Sequence, residues 1–346
     1  MNKTPIDPQI AISEQENIKN GVTFNKQEKR FYSRMPWKSS PSLLRNNKHI
    51  AIAAHQNMKK KAHKHPDHPS MIRDTFQSML DNQFIIKTDS LPSGNGKSDG
   101  LRTHIMENTN CHFTVNTIVF KPSSQSTKMR ITWDATRKTS KKGPSLNSLL
   151  MKGFPQYNIS KMIINWRLKA FALSTDISKF FNRIAVDPID RPYLNILWTE
   201  SMEVEEVPQW YSMLVHTFGY QSTSAIAKSS VELVKEQALS QDLTEVGKAL
   251  EFIYVDDINA SVDTRDQLQK LKEDLTTIMT EHGFPLKGFA VSNSDPDPGL
   301  SENTFTMIAG WLWFPKSDTM QLATPPIYIG DKKKRGLHEK HEVPTH

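Results

Sequence analysis

Two adjacent carboxylates, Asp256 and Asp257, are the residues of this chain best suited to chemistry. They lie between an apolar and aromatic run, residues 252–255, and a second short run, residues 258–262. This pattern predicts a β-hairpin with an acidic tip. The two charges repel each other and no glycine or asparagine eases the turn, so the tip favours a bound cation over the alternative, an ordinary solvated turn. Mg²⁺ is the expected ion because it takes few carboxylates and completes its shell with water and substrate phosphate.

A third acid, Asp176, ends another apolar run, residues 171–175. If the two runs form neighbouring strands of one sheet, three carboxylates converge at one edge. Converged carboxylates can hold two divalent ions about 3.5–4 Å apart for in-line displacement at phosphorus. The pattern therefore predicts two Mg²⁺ ions, which Mn²⁺ could replace, and nucleotidyl transfer as the reaction.

Several segments resemble a known family. Residues 252–257, Phe-Ile-Tyr-Val-Asp-Asp, resemble the catalytic hairpin of reverse transcriptases, and Asp176 with Phe181 resembles their first metal-binding motif. The chain is further similar to the fingers region of the Pao/BEL class of long-terminal-repeat retrotransposons in residues 126–136, 143–147 and 150–153. The resemblance implies an RNA-directed DNA polymerase that extends a primer on an RNA or DNA template with deoxynucleotides. It also implies a metal site made by Asp176, Ile177, Asp256 and Asp257.

The resemblance implies roles for residues that bind the incoming nucleotide. Lys128 and Arg130, on a hairpin predicted from strands at residues 113–120 and 129–133, would contact its triphosphate, and Arg130 can do so bidentately. Phe181 would lie against the sugar and exclude a 2′-hydroxyl. Lys287 would act as general acid near the leaving pyrophosphate.

A further segment resembles the Phe-Gly turn that lies beside the nascent base pair in this family. Its residues in this chain are Phe218, Gly219 and Gln221. The chain departs from the class just after this turn, where Thr223 and Ser224 replace the usual Ser-Pro.

The expected fold class is α+β: right-hand polymerase fingers and palm, with a central antiparallel sheet backed by helices and a thumb that is missing or incomplete. Apolar spacing predicts helices at residues 159–167, 223–240 and 265–282. The expected divisions are a poorly ordered N-terminal segment with few large apolar groups (1–30), an N-terminal extension and start of the fingers (31–104), the fingers (105–168), the palm with the catalytic site (169–315), and a basic tail or start of the thumb (316–346).

Composition limits the partners and the compartment. The 44 Lys and Arg against 37 Asp and Glu give a formal charge of +7, which favours polyanionic partners. Cys111 is the only cysteine, which excludes an internal disulfide or a cysteine zinc cluster and favours a reducing, intracellular location, either a cytoplasmic particle or the nucleus. No stretch approaches the ~20 apolar residues of a membrane helix. The expected partners are a template-primer, deoxynucleotides, and the protease, RNase H and integrase segments of a polyprotein.

Two other functions stay open. The first is a decayed or host-retained copy that binds nucleic acid without polymerising. The second, which Phe181 disfavours, is an RNA-templated RNA polymerase. A basic cluster at residues 59–65 has two interpretations, as a solvated helix end or as a phosphate contact.

Overall fold

The computed structural model of the chain describes residues 8–88, 111–120, 129–138, 140, 142–154, 157–200, 202–203, 206–294 and 305–323. The fold is mixed α/β, with several small sheets packed against helices. Within these ranges, every helix is too short or too polar to cross a membrane. Lys128 lies outside the described residues, as does much of the expected C-terminal segment.

The elements alternate along the chain. The α-helices are α1 (Pro8–Asn20), α2 (Lys48–Ala62), α3 (His68–Asp81), α4 (Leu146–Leu149), α5 (Ile159–Arg167), α6 (Thr223–Ser240), α7 (Thr244–Glu251) and α8 (Arg265–Glu281). The strands are β1 (Val22–Asn25), β2 (Arg30–Ser33), β3 (Ile85–Lys87), β4 (Val115–Phe120), β5 (Met129–Asp134), β6 (Phe171–Asp176), β7 (Ile184–Val186), β8 (Asn195–Trp198), β9 (Gln209–Met213), β10 (Asp257–Val262), β11 (Ala290–Val291), β12 (Thr306–Ile308), β13 (Trp311–Phe314) and β14 (Thr319–Leu322).

The sheet that carries the acids has the strand order β10-β6-β11 and is antiparallel. Its two main strands alternate in polarity, since neighbouring residues of a strand point to opposite faces. Leu173, Ile258 and Ala260 are buried in a core shared with α6, α7 and α8. The acids at the strand ends lie on the other face. The helices that back this sheet, α5, α6 and α8, occur where the apolar spacing predicts them.

A second core joins α2 and α3 to the two-stranded sheet β4-β5 and to the sheet β3-β9-β8. Met129, Ile131 and Trp133 of β5 point into this core, where they are nearly inaccessible to solvent. Arg130 lies between them in sequence and is exposed. The hairpin therefore has one apolar face that anchors it and one open face that carries Arg130.

The expectation of a poorly ordered segment at residues 1–30 is wrong for the part that the structure describes. Ile18 of α1 is 2% exposed in the main core. The Gln15 amide donates a hydrogen bond to the Ser229 hydroxyl at 3.0 Å. The Glu14 carboxylate accepts hydrogen bonds from the backbone of Lys152 and Gly153, each at 3.1 Å. A segment of polar composition is thus held in place in two ways. One apolar side chain is buried in the core, and polar side chains form hydrogen bonds with distant backbone groups.

Two other expectations need correction. The run before the acids does not form a strand: α7 continues to Glu251, because Val246, Ala249 and Leu250 are buried, and only Tyr254 forms a bridge to Asp257. The expected tail does not begin at residue 316, because β14 pairs with β13 and extends that sheet to residue 322.

Three histidines are buried and uncharged in the fold. Burial lowers the pKa of His55, His112 and His216 from 6.5 to about 4. A lowered pKa means that the unfolded chain binds the proton more readily than the folded chain. The stability that depends on these residues is therefore complete above about pH 6.5 and is lost as the pH falls towards 4.

Replacing His216 with leucine, which has a similar volume, should remove part of this acid sensitivity. The difference in free energy of unfolding between His216→Leu and wild type should shift in favour of the variant by up to about 3 kcal/mol as the pH falls from 7 to 4. Urea denaturation at a series of pH values measures this difference, and contributions from distant acids cancel in it. A difference that stays constant with pH would show that the pKa of His216 is the same in the folded and the unfolded chain.

Candidate active site

The three acids predicted from the sequence come together at one end of the central sheet. Side-chain oxygens of Asp176, Asp256 and Asp257 all lie within 4.8 Å of one another. Asp257 is the register partner of Asp176, and the backbone N–H of Ile177 donates to the Asp256 carbonyl at 2.9 Å. That pattern makes Asp176 and Asp257 a non-hydrogen-bonded pair, in which side chains of opposite residues are closest.

The cluster concentrates negative charge in a partly buried place. Burial, followed by the charges of Asp256 and Asp176, raises the pKa of Asp257 to about 7. Burial and the neighbouring Asp176 also raise the pKa of Asp256. Three carboxylates this close are costly to ionise together, and a proton or a cation relieves the repulsion.

The turn that presents Asp256 is tight and strained. Tyr254 and Asp257 exchange two backbone hydrogen bonds of 2.9 Å, which leaves Val255 and Asp256 as a two-residue loop. Val255 has a φ of 55°, a conformation that costs a β-branched residue most. A turn with positive φ at its first central position usually has glycine there. The absence of glycine, noted in the sequence, is thus accommodated by backbone strain, which is common at functional sites.

Lys287 contacts the acidic cluster. Its ammonium nitrogen lies 2.8 Å from the Asp176 Oδ1 atom, and its backbone N–H donates to the Asp176 carbonyl at 2.9 Å. The pair is partly exposed, with 48% of the lysine side chain and 29% of the aspartate side chain accessible. One lysine offsets only part of the charge of three carboxylates, so the cluster keeps a net negative charge when all three are ionised.

The cluster fits a divalent metal ion. All its donors are carboxylate oxygens, the ligands that Mg²⁺ and Mn²⁺ prefer. The Ile177 side chain is 1% exposed and cannot be a ligand, so its backbone carbonyl is the one oxygen that this residue offers. In the described part of the chain, no other group of three or more acidic, histidine or cysteine side chains has this geometry.

Arg130 is within electrostatic reach of the acids. Its positive charge is among the influences that lower the pKa of Asp256, although burial and Asp176 outweigh it. The residue is exposed on the open face of the β4-β5 hairpin, opposite Val119. Arg130 is therefore close enough to Asp256 for its charge to act on that carboxylate.

Phe181 and Phe218 contact each other through their rings. The ring centroids lie 4.9 Å apart at an angle of 68°. Phe181 is half-buried on a short 3₁₀ helix, Phe180–Arg183, that follows Asp176, whereas Phe218 is 50% exposed. The edge-to-face contact limits the movement of the Phe181 ring.

Gly219 permits the close approach of two chain segments. A Cβ atom at this position would lie 1.9 Å from the Trp133 carbonyl oxygen, and the residue has a φ of 110°. The Asn147 side chain bridges the turn, donating to the Gly219 carbonyl at 2.8 Å and accepting from the Gln221 backbone at 2.9 Å. The Gln221 side chain is itself used for structure, since it donates to the Leu150 carbonyl.

The departure from Ser-Pro does not disrupt the turn. The Thr223 hydroxyl donates to the Thr217 carbonyl at 2.9 Å, closing the turn from within. Ser224 lies 3.3 Å, between hydroxyl oxygens, from Tyr157. The ring of Tyr157 makes an edge contact with Tyr254 at 5.8 Å. Tyr157 therefore supports the turn that carries Asp256.

Sequence reasoning gave no role to Asn147 or Tyr157. In the sequence, Asn147 is only the last residue of a longer motif, residues 143–147. Tyr157 lies in a stretch without periodicity, and its pairing with Tyr254 joins residues that are far apart in the chain. Only the folded chain shows either contact.

Comparison with known proteins gives limited information. No protein-family model and no curated protein matches the chain. A solved structure of a foamy viral protease-reverse transcriptase in complex with double-stranded DNA is similar to 93% of this chain and 49% of that chain, with a TM-score of 0.48 and 13% sequence identity. This chain thus spans about half of that solved chain. A likeness at this level identifies no family.

The raised pKa of Asp257 is measurable. In metal-free protein, the Asp257 carboxyl should titrate near pH 7, and Mg²⁺ should lower that value because the ion competes with the proton. Asp256→Asn should also lower it, because one neighbouring charge is removed. Carbon-13 NMR of the aspartate carboxyls tests both changes. Titration near pH 4 in metal-free wild type would mean that the three acids do not interact as described.

Proposed function

We propose that this chain is an RNA-directed DNA polymerase domain that extends a primer with deoxynucleotides. The observation that carries the proposal is the cluster of Asp176, Asp256 and Asp257, with their oxygens within 4.8 Å at the end of one sheet. Acids in this arrangement suit a pair of divalent ions. When bound, such ions supply activation of the primer 3′-hydroxyl and neutralisation of the triphosphate and leaving group.

The residues around the cluster have complementary tasks. Lys287, 2.8 Å from Asp176, would release its proton to the leaving pyrophosphate. Arg130, whose charge acts on Asp256, would hold the triphosphate with two parallel hydrogen bonds. Lys128 would be a second phosphate contact. The Phe218-Gly219 turn, fixed by Asn147, would lie under the nascent base pair, with Gln221 positioning its backbone.

The position of Phe181 along the chain and its contact with Phe218 also suggest selection against ribonucleotides. Phe181 is held by its edge contact with Phe218 at 4.9 Å and has little freedom to move away. A 2′-hydroxyl on the incoming sugar would collide with this ring. Deoxynucleotides are therefore the proposed substrates.

We further propose the architecture of fingers and palm for this chain. The β4-β5 hairpin would belong to the fingers, and the central sheet with α6 to α8 to the palm. The Pao/BEL class is the proposed origin, based on the sequence segments that resemble it. Template-primer and segments of a polyprotein are the proposed partners. A copy that binds nucleic acid without polymerising is the alternative, and primer extension distinguishes the two.

Asp256→Asn should abolish primer extension while leaving duplex binding nearly unchanged. The substitution removes a proposed metal ligand, whereas most affinity for a duplex comes from cationic side chains on phosphates. The assay uses the full chain, poly(rA) with oligo(dT), Mg²⁺ or Mn²⁺, and dTTP. Loss of activity of at least about 100-fold is expected from the loss of a group that acts at the reacting phosphate.

The matched control is Asp263→Asn. Asp263 directly follows β10 and is 62% exposed, so its loss should leave extension unchanged. Equal activity of wild type and Asp256→Asn would remove the cluster from consideration as a catalytic site. Wild-type protein that binds the duplex but never extends the primer would favour the alternative.

Phe181→Ala should admit ribonucleotides. Removing the ring removes the collision with a 2′-hydroxyl, so the ratio of kcat/KM for dTTP over UTP should fall by about tenfold or more. Phe181→Tyr keeps the ring and should keep the wild-type ratio. If Phe181→Ala and the wild type give the same ratio, the sugar is selected by another residue. Equal use of dTTP and UTP by the wild type would instead favour an RNA polymerase.

A further inference from the structure

A groove of about 620 Å³ lies between helix α2 and strand β4, and none of the three acids of the cluster lines it. Its position relative to Arg130 follows from the register of the hairpin. Asn116, which lines the groove, is the register partner of Trp133, and Arg130 is three residues away on the same strand. Residues three apart on a strand point to opposite faces. Asn116, Ile118 and Phe120 therefore lie on the face of the hairpin opposite to Arg130.

The walls of the groove are mostly apolar. Ile50 and Ala54 of α2 face Ile118 of β4 across it. Alanines on the helix leave the space that larger side chains would fill. A cavity of this size and character is suited to a flat apolar group such as a nucleobase.

The rim of the groove is cationic. Lys61 lies on the helix side and Arg137 follows β5 at the hairpin end. Both are exposed, and Arg137 contacts Asp134 only loosely, at 3.5 Å. No aspartate or glutamate is among the described residues that line the groove. Cations on two walls around an apolar floor match a polymer with repeated phosphates.

Aromatic rings form a stack at one end. The rings of His65 and His68 lie 4.4 Å apart, and His68 lies 3.6 Å from Phe120 with the planes 14° apart. All three belong to the groove or its rim. An open stack of flat rings is a surface on which a base can continue the stacking.

We propose that this groove binds a single strand of nucleic acid. A base enters between α2 and β4 and stacks next to His68 and Phe120. Lys61 and Arg137 contact phosphates on either side. The inference goes beyond the proposed polymerase function and does not depend on catalysis. It also decides between the two interpretations of the basic cluster, in favour of phosphate contact for Lys61.

The test measures binding of fluorescein-labelled oligo(dT), about 12 nucleotides long, to the full chain in EDTA. Fluorescence anisotropy gives the Kd. Ala54→Phe fills the groove without changing the charge and should weaken binding at least about fivefold, the size expected for loss of one stacked base. Lys61→Glu should weaken it similarly and flatten the dependence on salt.

The matched control is Lys60→Glu, the same charge reversal one residue away, at an exposed position outside the groove. It should change the Kd by less than about twofold, as expected for a cation that makes no direct phosphate contact. Circular dichroism checks that the variants fold. Crosslinking of an oligonucleotide with 5-iododeoxyuridine should label peptides that contain His68 or Phe120. Equal binding by wild type and Ala54→Phe, or crosslinks only elsewhere, would overturn the proposal.

A free nucleotide shares the chemistry of a base and a phosphate, so dTMP is the competitor. If dTMP displaces the oligonucleotide at equal concentration of nucleotide units, the groove is a mononucleotide site and the strand proposal is wrong. Asp256→Asn should leave oligo(dT) binding unchanged. A chain that binds through the groove but extends no primer would contradict only the polymerase function, and extension without binding in the groove would contradict only this inference.

Discussion

Mutual repulsion of three close carboxylates is the constraint on which this structure depends. Their oxygens lie within 4.8 Å, and burial raises the pKa of Asp257 to about 7. Unaided, such groups would separate or stay protonated. The antiparallel register of β6 and β10 prevents separation, since it fixes the positions of Asp176 and Asp257 in the backbone. The free energy for holding the charges together comes from the core beneath the sheet.

The surrounding contacts serve the same arrangement. Helices α6 to α8 bury one face of the sheet, while α5 covers part of the other through Trp166, which packs at right angles on Trp313. The Glu14 carboxylate of the N-terminal helix accepts hydrogen bonds from the backbone N–H groups of Lys152 and Gly153. The Gly219 turn rests directly on the Trp133 carbonyl, so the hairpin that carries Arg130 and the turn that carries Phe218 share one support.

The sequence was most informative where periodicity and chemistry coincide. Helices α5, α6 and α8 follow from apolar spacing, and the convergence of Asp176 with Asp256 and Asp257 follows from acids placed at strand ends. It was least informative where a contact joins distant segments. The packing of α1 depends on hydrogen bonds that Glu14 and Gln15 accept from the backbone of residues 152–154. No local sequence pattern indicates these bonds. The run before Asp256 has strand-like residues, but tertiary burial extends α7 to Glu251 instead.

The left-handed backbone of Val255 has a consequence for the evolution and engineering of this chain. Glycine there would relax the loop and raise thermal tolerance, so selection for robustness alone would favour it. A relaxed loop would also allow the Asp256 carboxylate to change its position. A stiff, branched residue at this backbone angle therefore exchanges some stability for a fixed position of the Asp256 carboxylate.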